Sequence, residues 1–362
     1  MPVTLEEIAR AANVSIATVS RVLNNSDHPV SERTRQRIKR LAAEMGYRPN
    51  WMARSLRTDR THTIGIIVDD IVTPFSPLIV RGVQDVLTRH EYLGLVVNTD
   101  RSQALEKDAI ATLISRPVDG FVFVESVYRK VTDELERSGK PYVFVHRLFD
   151  SSIQNSVVPD DYNNAALAVR HLLGLGHQRI AHIRGPEGWH PAERRLAAYL
   201  DEMAAAGLHP DPAYVQLSTW EAPGGYEACR QLLALPERPT AIFAANDWIA
   251  LGAIYAIQDA GLRVPQDIAV VGYDNQEFTG RVRPPITTVS LPAYRMGMRA
   301  AEILWEKLEG AQGDVDEEKV PGRLYVRSSC GGNPNPPRWT STSPTADAFP
   351  HERFVPRCRE DG

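Results

Sequence analysis

Residues 5–23, LEEIARAANVSIATVSRVL, decide the fold of the first part of the chain. Apolar residues recur at helical spacing in two short runs, from Leu5 to Ala12 and again from Val19 to Leu23. Asn13 lies between the runs, at a point where the backbone needs a left-handed residue and asparagine tolerates that conformation. The stretch therefore predicts two short helices joined by a tight turn, which is the spacing of a helix-turn-helix.

Hydroxyl residues mark where the helices of this region begin. Thr4 and Glu7 form the pattern of a capping box at the start of the first helix. Ser15 precedes the second helix, and Ser31 precedes a third helix that is predicted to end at Gly46. These signals predict a head made of three short helices.

The second helix is expected to expose Ile16, Ala17, Thr18 and Arg21. Short side chains at its start would let the backbone approach base edges in the major groove, and Arg21 could reach a guanine or a phosphate. A helical hairpin with a solvated basic face would show the same spacing. The basic charge of the head, its terminal position and a second, proline-entered helix favour DNA binding.

Charge is distributed unevenly along the chain. The first 60 of the 362 residues contain 11 Lys and Arg against 6 Asp and Glu, which gives +5. Because the whole chain carries −4, the remainder carries −9. A small basic head on a larger acidic body indicates a head that meets a polyanion, although a window of this size can also be basic by chance.

Composition disfavours several classes of protein. The apolar fraction of 43% and the charged fraction of 24% are globular values, and the length predicts two or three domains. Three distant cysteines give neither a disulfide framework nor a cysteine zinc site. The start lacks the features of a signal peptide and no apolar run would span a bilayer, so we expect a cytosolic protein without membrane contact.

Beyond Thr63, apolar segments of strand length alternate with amphipathic segments of helix length. The predicted strands are Ile64–Val68, Leu93–Val97, Gly120–Val124, Tyr142–Val145, Ile180–Ile183, Ala241–Ala244 and Ile268–Gly272, and the predicted helices include Asn164–Leu173, Ala192–Ala206 and Trp248–Ala260. Such alternation predicts parallel sheets covered on both faces. About 270 residues exceed one sheet, so we expect two similar lobes with a ligand cleft at the carboxyl ends of their strands.

Two segments fall outside this pattern. Residues 49–61 are entered through Pro49 and predict a short helix followed by a linker. Residues 333–362 are rich in Pro, Ser, Thr and Arg and have no sustained apolar period, so we expect a disordered tail there.

Motifs in both the head and the body match one known family. In the head they are Val3-Thr4-Leu5, Ala9, Val14-Ser15, Thr18-Val19-Ser20-Arg21-Val22, Asn24, Val30-Ser31, Thr34-Arg35 and Tyr47-Arg48-Pro49-Asn50. In the body they are Ile64-Gly65, Gly174-Leu175-Gly176-His177, Ala245-Asn246-Asp247, Val270-Val271-Gly272-Tyr273-Asp274 and Pro285-Ile286-Thr287-Thr288-Val289. Over residues 2–330 the chain resembles the lactose-repressor (LacI/GalR) family of bacterial transcription regulators.

This resemblance implies a fold and its boundaries. The fold is an N-terminal all-α helix-turn-helix head with a hinge helix, followed by an α/β body of two parallel-sheet lobes, like a periplasmic binding protein. The implied domains are the head (1–48), the hinge helix and linker (49–61), and an effector-binding and dimerisation domain (62–332). Its lobes would take about 62–158 plus 292–319, and 159–290 plus 320–332.

The resemblance also implies which residues contact DNA. They are Thr4, Ser15, Ile16, Ala17, Thr18, Arg21, Asn24, Thr34, Arg54 and Leu56. Leu56 lies on the implied hinge helix, Asn50–Arg57, where the family places a leucine that wedges between central base pairs in the minor groove.

Seven residues of the body are candidates for holding an effector: Asp70, Phe75, His146, Arg195, Trp220, Asn246 and Asp274. Carboxylate, amide and guanidinium groups can bind adjacent hydroxyls, and aromatic rings can stack on a sugar, so a sugar or a sugar derivative is expected. Asn246 precedes a helix and could equally cap it. His146 and Leu291 replace residues common in the family, which leaves the identity of the effector open.

The implied function is that of a cytoplasmic homodimer that binds pseudo-palindromic, double-stranded operator DNA as a repressor under effector control. An activator, or a regulator controlled by a protein partner, would use the same fold. The missing signal peptide and the basic head disfavour a solute-binding protein. The sequence lacks the G-x-S-x-G, Walker, H-E-x-x-H and G-x-G-x-x-G motifs, so we expect no enzyme, no cofactor and no metal site.

Overall fold

The computed structural model describes residues 3–23, 29–47, 60–116, 118–124, 133–146, 155–311 and 313–333. The chain divides into two compact units, the head (Met1–Thr61) and the body (His62–Gly362). The predicted hinge helix, Asn50–Arg57, and the predicted tail beyond Asn333 lie outside the described residues.

The described part of the head consists of α1 (Leu5–Ala12), α2 (Ile16–Leu23) and α3 (Glu32–Glu44). The predicted capping box is present, since the Glu7 carboxylate accepts a hydrogen bond from the Thr4 amide at 2.8 Å and the Glu7 amide donates to Thr4 Oγ1 at 3.3 Å. The Thr4 amide and hydroxyl hold the pKa of the Glu7 carboxyl below its ordinary value. Asn13 takes the expected left-handed conformation, with φ of 50°.

The three helices bury their apolar faces in one small core. Ile8, Val19, Val22 and Ile38 are fully buried there, and alanines lie at the close approaches between helices. The side chain of Arg37 on α3 donates to a carbonyl oxygen at the end of α1, which satisfies a backbone group that the helix itself leaves open. The predicted helix-turn-helix head is confirmed.

Within the described ranges, the body contains two six-stranded sheets. In chain order the strands are β1 (Thr63–Val68), β2 (Leu93–Asn98), β3 (Gly120–Val124), β4 (Tyr142–Val145), β5 (Ser156–Pro159), β6 (Ile180–Arg184), β7 (Val215–Leu217), β8 (Ala241–Ala244), β9 (Ala269–Asp274), β10 (Thr287–Ser290), β11 (Glu318–Val320) and β12 (Leu324–Tyr325). The first sheet has the spatial order β11-β5-β4-β3-β1-β2, and the second has the order β12-β10-β9-β8-β6-β7.

Neighbouring strands run parallel, as predicted, with one exception. The two-residue strand β12 pairs antiparallel with β10. It lies at the edge of the second sheet and follows β11, of the first sheet, after three residues. The prediction of two parallel-sheet lobes is confirmed, and β12 is a short antiparallel addition to the second lobe.

Helices cover the sheets and bury the apolar strands. They are α4 (Ser76–Arg89), α5 (Gln103–Ser115), α6 (Asp133–Ser138), α7 (Asp161–Gly174), α8 (His190–Ala205), α9 (Ala222–Leu233), α10 (Asp247–Asp259) and α11 (Ala293–Leu308). The helix predicted at Asn164–Leu173 begins three residues earlier because Asp160 caps it, accepting a hydrogen bond from the Asn163 amide at 3.3 Å. None of the helices in the described part of the chain is long and apolar enough to cross a membrane.

Strand β2 differs from the predicted strand buried on both faces. It lies at the edge of the first sheet, and Leu93, Leu95 and Val96 keep 65%, 37% and 38% of their surface exposed. An apolar sheet edge of this kind is a surface that another protein surface can cover.

Three short segments of the described body carry the chain between the lobes. The first crossing leads from β5 to α7, the second from β10 to α11, and the third from β11 to β12. The Asp160 amide donates to the Val320 carbonyl at 3.0 Å, and the Ser290 amide donates to the Arg323 carbonyl at 2.8 Å. The crossings are therefore hydrogen-bonded to one another, and they form the natural hinge of the body.

His182, on β6, is fully buried in the second sheet between the rings of Tyr199 and Phe243. Its Nδ1 lies 2.9 Å from the Phe243 carbonyl oxygen and therefore carries the proton of the neutral ring. Burial lowers the pKa of His182 to about 4, although the hydrogen bond to Phe243 opposes the shift. The imidazole is neutral in the folded body at neutral pH.

We expect the body to lose stability as the pH falls from about 6.5 towards 4, because His182 then binds a proton only in the unfolded chain. The effect on the free energy of unfolding is about 3 kcal/mol at most. His182→Asn keeps a donor for the Phe243 carbonyl but does not titrate. Urea unfolding of both proteins should show that their stabilities converge as the pH falls, and a constant difference would contradict the assignment.

Candidate DNA-binding face and effector cleft

The start of α2 forms the exposed face that is predicted to read DNA. Ile16 keeps 49% of its surface exposed, and Ala17 and Arg21 are exposed as well. Val19 and Val22 are buried on the opposite side and fix the orientation of the helix. The helix therefore presents short side chains followed by one long cation, which suits close approach to a major groove.

Hydroxyl side chains at the helix starts are engaged in capping. The Thr18 amide donates to Ser15 Oγ at 3.1 Å, and the two hydroxyl oxygens lie 2.8 Å apart. Thr34 and Ser31 repeat this arrangement at α3, and Thr4 caps α1. These residues stabilise the helices, and their contacts to DNA stay predictions. Three further predicted contacts lie outside the described residues: Asn24, Arg54 and Leu56.

Several cations of the head are already paired. Three arginines lie 3.5–3.8 Å from a glutamate on their own helix: Arg10, Arg35 and Arg40. Arg21 has no ion-pair partner among residues 3–23 and 29–47. Its guanidinium belongs to the exposed face of α2 that is predicted to read DNA.

A cavity of about 320 Å³ opens between the lobes of the body. Six of the seven predicted effector residues line it: Phe75, His146, Arg195, Trp220, Asn246 and Asp274. Five of them lie at the ends of strands in both sheets or in the segments that follow, and Arg195 lies in the second turn of α8. Because parallel strands present their carboxyl ends at one edge of a sheet, the topology gathers residues that are distant in sequence.

The seventh residue, Asp70, lies outside the lining, and its neighbour Asp69 takes the place instead. Asp70 Oδ1 accepts a hydrogen bond from the Val72 amide at 3.1 Å, and Oδ2 lies 3.3 Å from a guanidinium nitrogen of Arg101. Asp69 is buried in the bend directly after β1, whereas the Asp70 carboxylate is engaged by the Val72 amide and Arg101.

Arg195 is the most constrained side chain of the cleft. Its Nε donates to Asp161 Oδ1 at 2.8 Å, and Nη1 donates to the Ala245 carbonyl at 2.6 Å. The guanidinium carbon lies 3.6 Å from the centre of the Tyr273 ring. Burial by itself would lower the pKa of Arg195, but Asp161, Tyr273 and Asp274 raise it above its ordinary value. Arg195 is therefore a fixed cation whose remaining N–H groups are oriented in advance.

Two buried carboxyls follow at the end of the second sheet. Burial raises the pKa of Asp274 well above its ordinary value; Arg195 opposes this rise and Asp247 adds to it. Burial also raises the pKa of Asp247 to about 7, against hydrogen bonds from Thr288 Oγ1 at 2.6 Å and the Gln276 amide at 2.8 Å. Burial therefore favours the protonated form of the Asp274 carboxyl, which lines the cleft.

Aromatic rings form the apolar part of the cleft. Trp189 and Trp220 meet edge to face with centres 6.0 Å apart, and Phe75 meets His146 in the same way at 5.5 Å. A Cβ atom on Gly185 would come within 2.3 Å of the Trp220 ring, so the glycine is what allows this ring its position. Such flat surfaces can stack on the apolar face of a sugar.

Asn246 caps a helix, which is one of the two roles that its sequence position leaves open, and its role toward an effector stays a prediction. Its Oδ1 caps α10 by accepting a hydrogen bond from the Ile249 amide at 2.8 Å, and its Nδ2 donates to the Trp220 carbonyl at 3.0 Å. The residue also lines the cavity. It therefore joins the helix start to the loop that carries Trp220.

Other lining residues lie beyond the set that the sequence predicts, and among them are Arg101, Trp189, Trp248 and Gln276. Trp248 and Gln276 stand two positions after predicted residues, Trp248 at the start of α10 and Gln276 after β9. Extending each candidate a few residues along the chain would have found them. Asp161 follows β5 and is a strand-end candidate from the sequence, but its pairing with Arg195 depends on a contact with a different helix.

The comparisons with known proteins agree with this architecture. Residues 4–50 match the family of bacterial regulatory proteins, lacI family, and residues 169–330 match a periplasmic binding protein-like domain. The chain is 34% identical to catabolite control protein A of Priestia megaterium, over 91% of this chain and 99% of that protein.

Two solved structures extend the comparison. The lac repressor dimer bound to operator and the anti-inducer ONPF matches with a TM-score of 0.74 and 30% identity, over 91% of this chain and 99% of that chain. The transcriptional regulator CelR in complex with cellobiose matches with a TM-score of 0.64 and 32% identity, over 90% and 99%.

A helix-turn-helix head joined to a two-lobed body with an internal cleft defines a class of DNA-binding regulators that carry a small-molecule site. The chain belongs to the LacI family of bacterial regulatory proteins. It is accordingly a sequence-specific, DNA-binding transcription regulator, as the sequence predicts.

If Arg21 reads a base, Arg21→Ala should weaken binding to the DNA that the wild-type protein selects from a random pool by about 1–3 kcal/mol more than it weakens binding to unselected DNA. Fluorescence anisotropy with both duplexes measures the difference. Arg10→Ala is the matched control, because Arg10 is paired on α1 away from the reading face. Equal losses on both duplexes would identify Arg21 as a phosphate contact.

Proposed function

We propose that this protein is a cytoplasmic repressor that binds pseudo-palindromic operator DNA as a homodimer, under the control of a sugar-like effector in the cleft. One observation carries the proposal: a single chain joins an exposed reading helix to a cleft that gathers a fixed cation, a buried carboxyl and aromatic rings. The matched lac repressor is bound to operator as a dimer, and the matched CelR is bound to cellobiose, which supports both parts.

The chemistry of the cleft favours an uncharged polyol. Arg195 and Arg101 are the arginines that line the described part of the cavity, and carboxylates of Asp161 and Asp70 already pair with them. A phosphate or carboxylate ligand would find neither arginine uncompensated. Hydroxyl groups need only donors and acceptors side by side, which Arg195, Asn246 and Asp274 supply.

Exposed apolar surface supports the homodimer. The β2 edge, with Leu93 and Leu95, offers such surface in the first lobe, and Tyr255 on α10, which is 48% exposed, offers it in the second. A two-fold axis passing beside both lobes would bury both surfaces against their own copies. The two heads would then face two halves of one operator.

The test begins with selection of operator DNA from a randomised pool by the wild-type protein. A panel of uncharged sugars, including cellobiose and D-ribose, and of matched sugar phosphates is then added. We expect an uncharged member to raise the melting temperature of the body and to change operator affinity at least fivefold, as a coupling of about 1–3 kcal/mol implies. A response to sugar phosphates alone would contradict the proposed effector class.

Asp274→Asn should separate effector response from DNA binding. The change removes a carboxyl that lines the cleft, so we expect the effector to lose about 1–3 kcal/mol of binding while operator affinity without effector stays unchanged. Asp267→Asn is the control, because Asp267 is paired with Arg263 on the outer surface of the same lobe. Anisotropy titrations with and without the active sugar measure both properties. A wild-type response from Asp274→Asn would remove Asp274 from the site.

A further inference from the structure

Two groups position Arg195, and each of them is connected to one of the crossings between the lobes. On one side is Asp161, the first residue of α7, directly after the first crossing. On the other side is Tyr273, fully buried on β9, whose ring lies under the guanidinium at 3.6 Å. A cation–π contact at this distance, away from water, orients the arginine as firmly as a hydrogen bond.

The tyrosine in turn is held by Asn164, one turn after Asp161 on α7. Asn164 is 1% exposed, and its Nδ2 donates to the Tyr273 hydroxyl at 3.0 Å. Its Oδ1 accepts a hydrogen bond from the Gly322 amide, in the third crossing, at 2.7 Å. The side-chain amide of Asn164 therefore links Tyr273, which supports the Arg195 guanidinium, to Gly322 in the third crossing.

Gly322 is the point where the second and third crossings come into contact. A Cβ atom there would lie 2.1 Å from the Ser290 carbonyl oxygen and 3.2 Å from Asn164 Nδ2. No side chain fits without moving the backbone of one crossing. A rotation of the lobes that moved the third crossing relative to the second lobe would therefore shift Gly322 against Asn164 and Ser290.

We infer that Asn164 is the coupling residue of the body, which transmits the position of Arg195 to the hinge through Tyr273 on one side and Gly322 on the other. The inference rests on the proposed function, in which a ligand at Arg195 controls lobe closure. If the third crossing shifts during closure, either the Asn164–Gly322 bond breaks or the tyrosine and the arginine move with it. A buried amide left unpaired is costly, so the second response is favoured.

If Asn164 had only a packing role, the variants described below would leave hydrogen exchange at the crossings and operator affinity unchanged. Tyr273→Phe keeps the ring under Arg195 and removes only the hydroxyl that Asn164 holds. Tyr199→Phe is its matched control, because Tyr199 is also fully buried in the second lobe and donates its hydroxyl to the Ile180 carbonyl at 2.8 Å, away from the crossings. Both changes remove one buried hydrogen bond and should lower the melting temperature alike.

A second pair of variants tests the same coupling from the hinge. Gly322→Ala inserts a methyl group between the second and third crossings. Gly174→Ala is the matched control, since a Cβ atom at Gly174 meets no atom within 4 Å. Hydrogen exchange of residues 318–325 then reports the hinge of the body directly, and affinity for the selected operator DNA, without effector, reports its functional output.

We expect Tyr273→Phe and Gly322→Ala to speed exchange of residues 318–325 and to change operator affinity about three- to thirtyfold. The two control variants should stay within twofold of wild type in both measurements. If all four folded variants match the wild type, Asn164 is a packing residue and the inference is wrong. Failure of the wild type to select any DNA would instead overturn the proposed function, and the exchange measurement would still decide the inference.

Discussion

The buried ion pair between Arg195 and Asp161 is the interaction on which the body depends. Taking a guanidinium out of water costs several kcal/mol unless a carboxylate and further acceptors compensate it. Here one carboxylate, the Ala245 carbonyl and the Tyr273 ring surround the cation. These partners belong to the start of α7 and to the ends of β8 and β9. Once the arginine is buried, the three elements have fixed positions around one side of the cleft.

The same arrangement connects the effector cleft to the crossings between the lobes. Asp161 follows the first crossing, and Asn164 contacts the third, so the helix that neutralises the cleft cation also carries the contact to the hinge. An arginine paired within its own helix would lack this link to α7, because such a pair joins only residues three or four positions apart.

Much of this fold follows from sequence periodicity, whereas features that depend on contacts between distant elements cannot be predicted in this way. Helical spacing and caps around Asn13 predict the head, and apolar segments predict seven of the twelve described strands to within two residues. The short strands β5, β7, β10, β11 and β12 are not among the strands named from the sequence. Parallel topology then places the strand-end candidates together. Asp69 rather than Asp70 lines the cavity, a difference of one residue in the bend after β1 that periodicity does not resolve. Asp161 and Asn164 are invisible to periodicity, since their partners come from other elements.

The protonation chemistry of the cleft bears on what it can recognise. Burial raises the pKa of Asp274, which lines the cleft, and that of the neighbouring Asp247, so the protonated form of each carboxyl is more favoured than it is in water. A carboxylate only accepts hydrogen bonds, whereas a carboxyl also donates one. A ligand that is only an acceptor would be repelled by one form and bound by the other. A hydroxyl group donates to the carboxylate and accepts from the carboxyl, so a polyol can be held in both states. The buried acids therefore favour the same class of ligand as the paired arginines do.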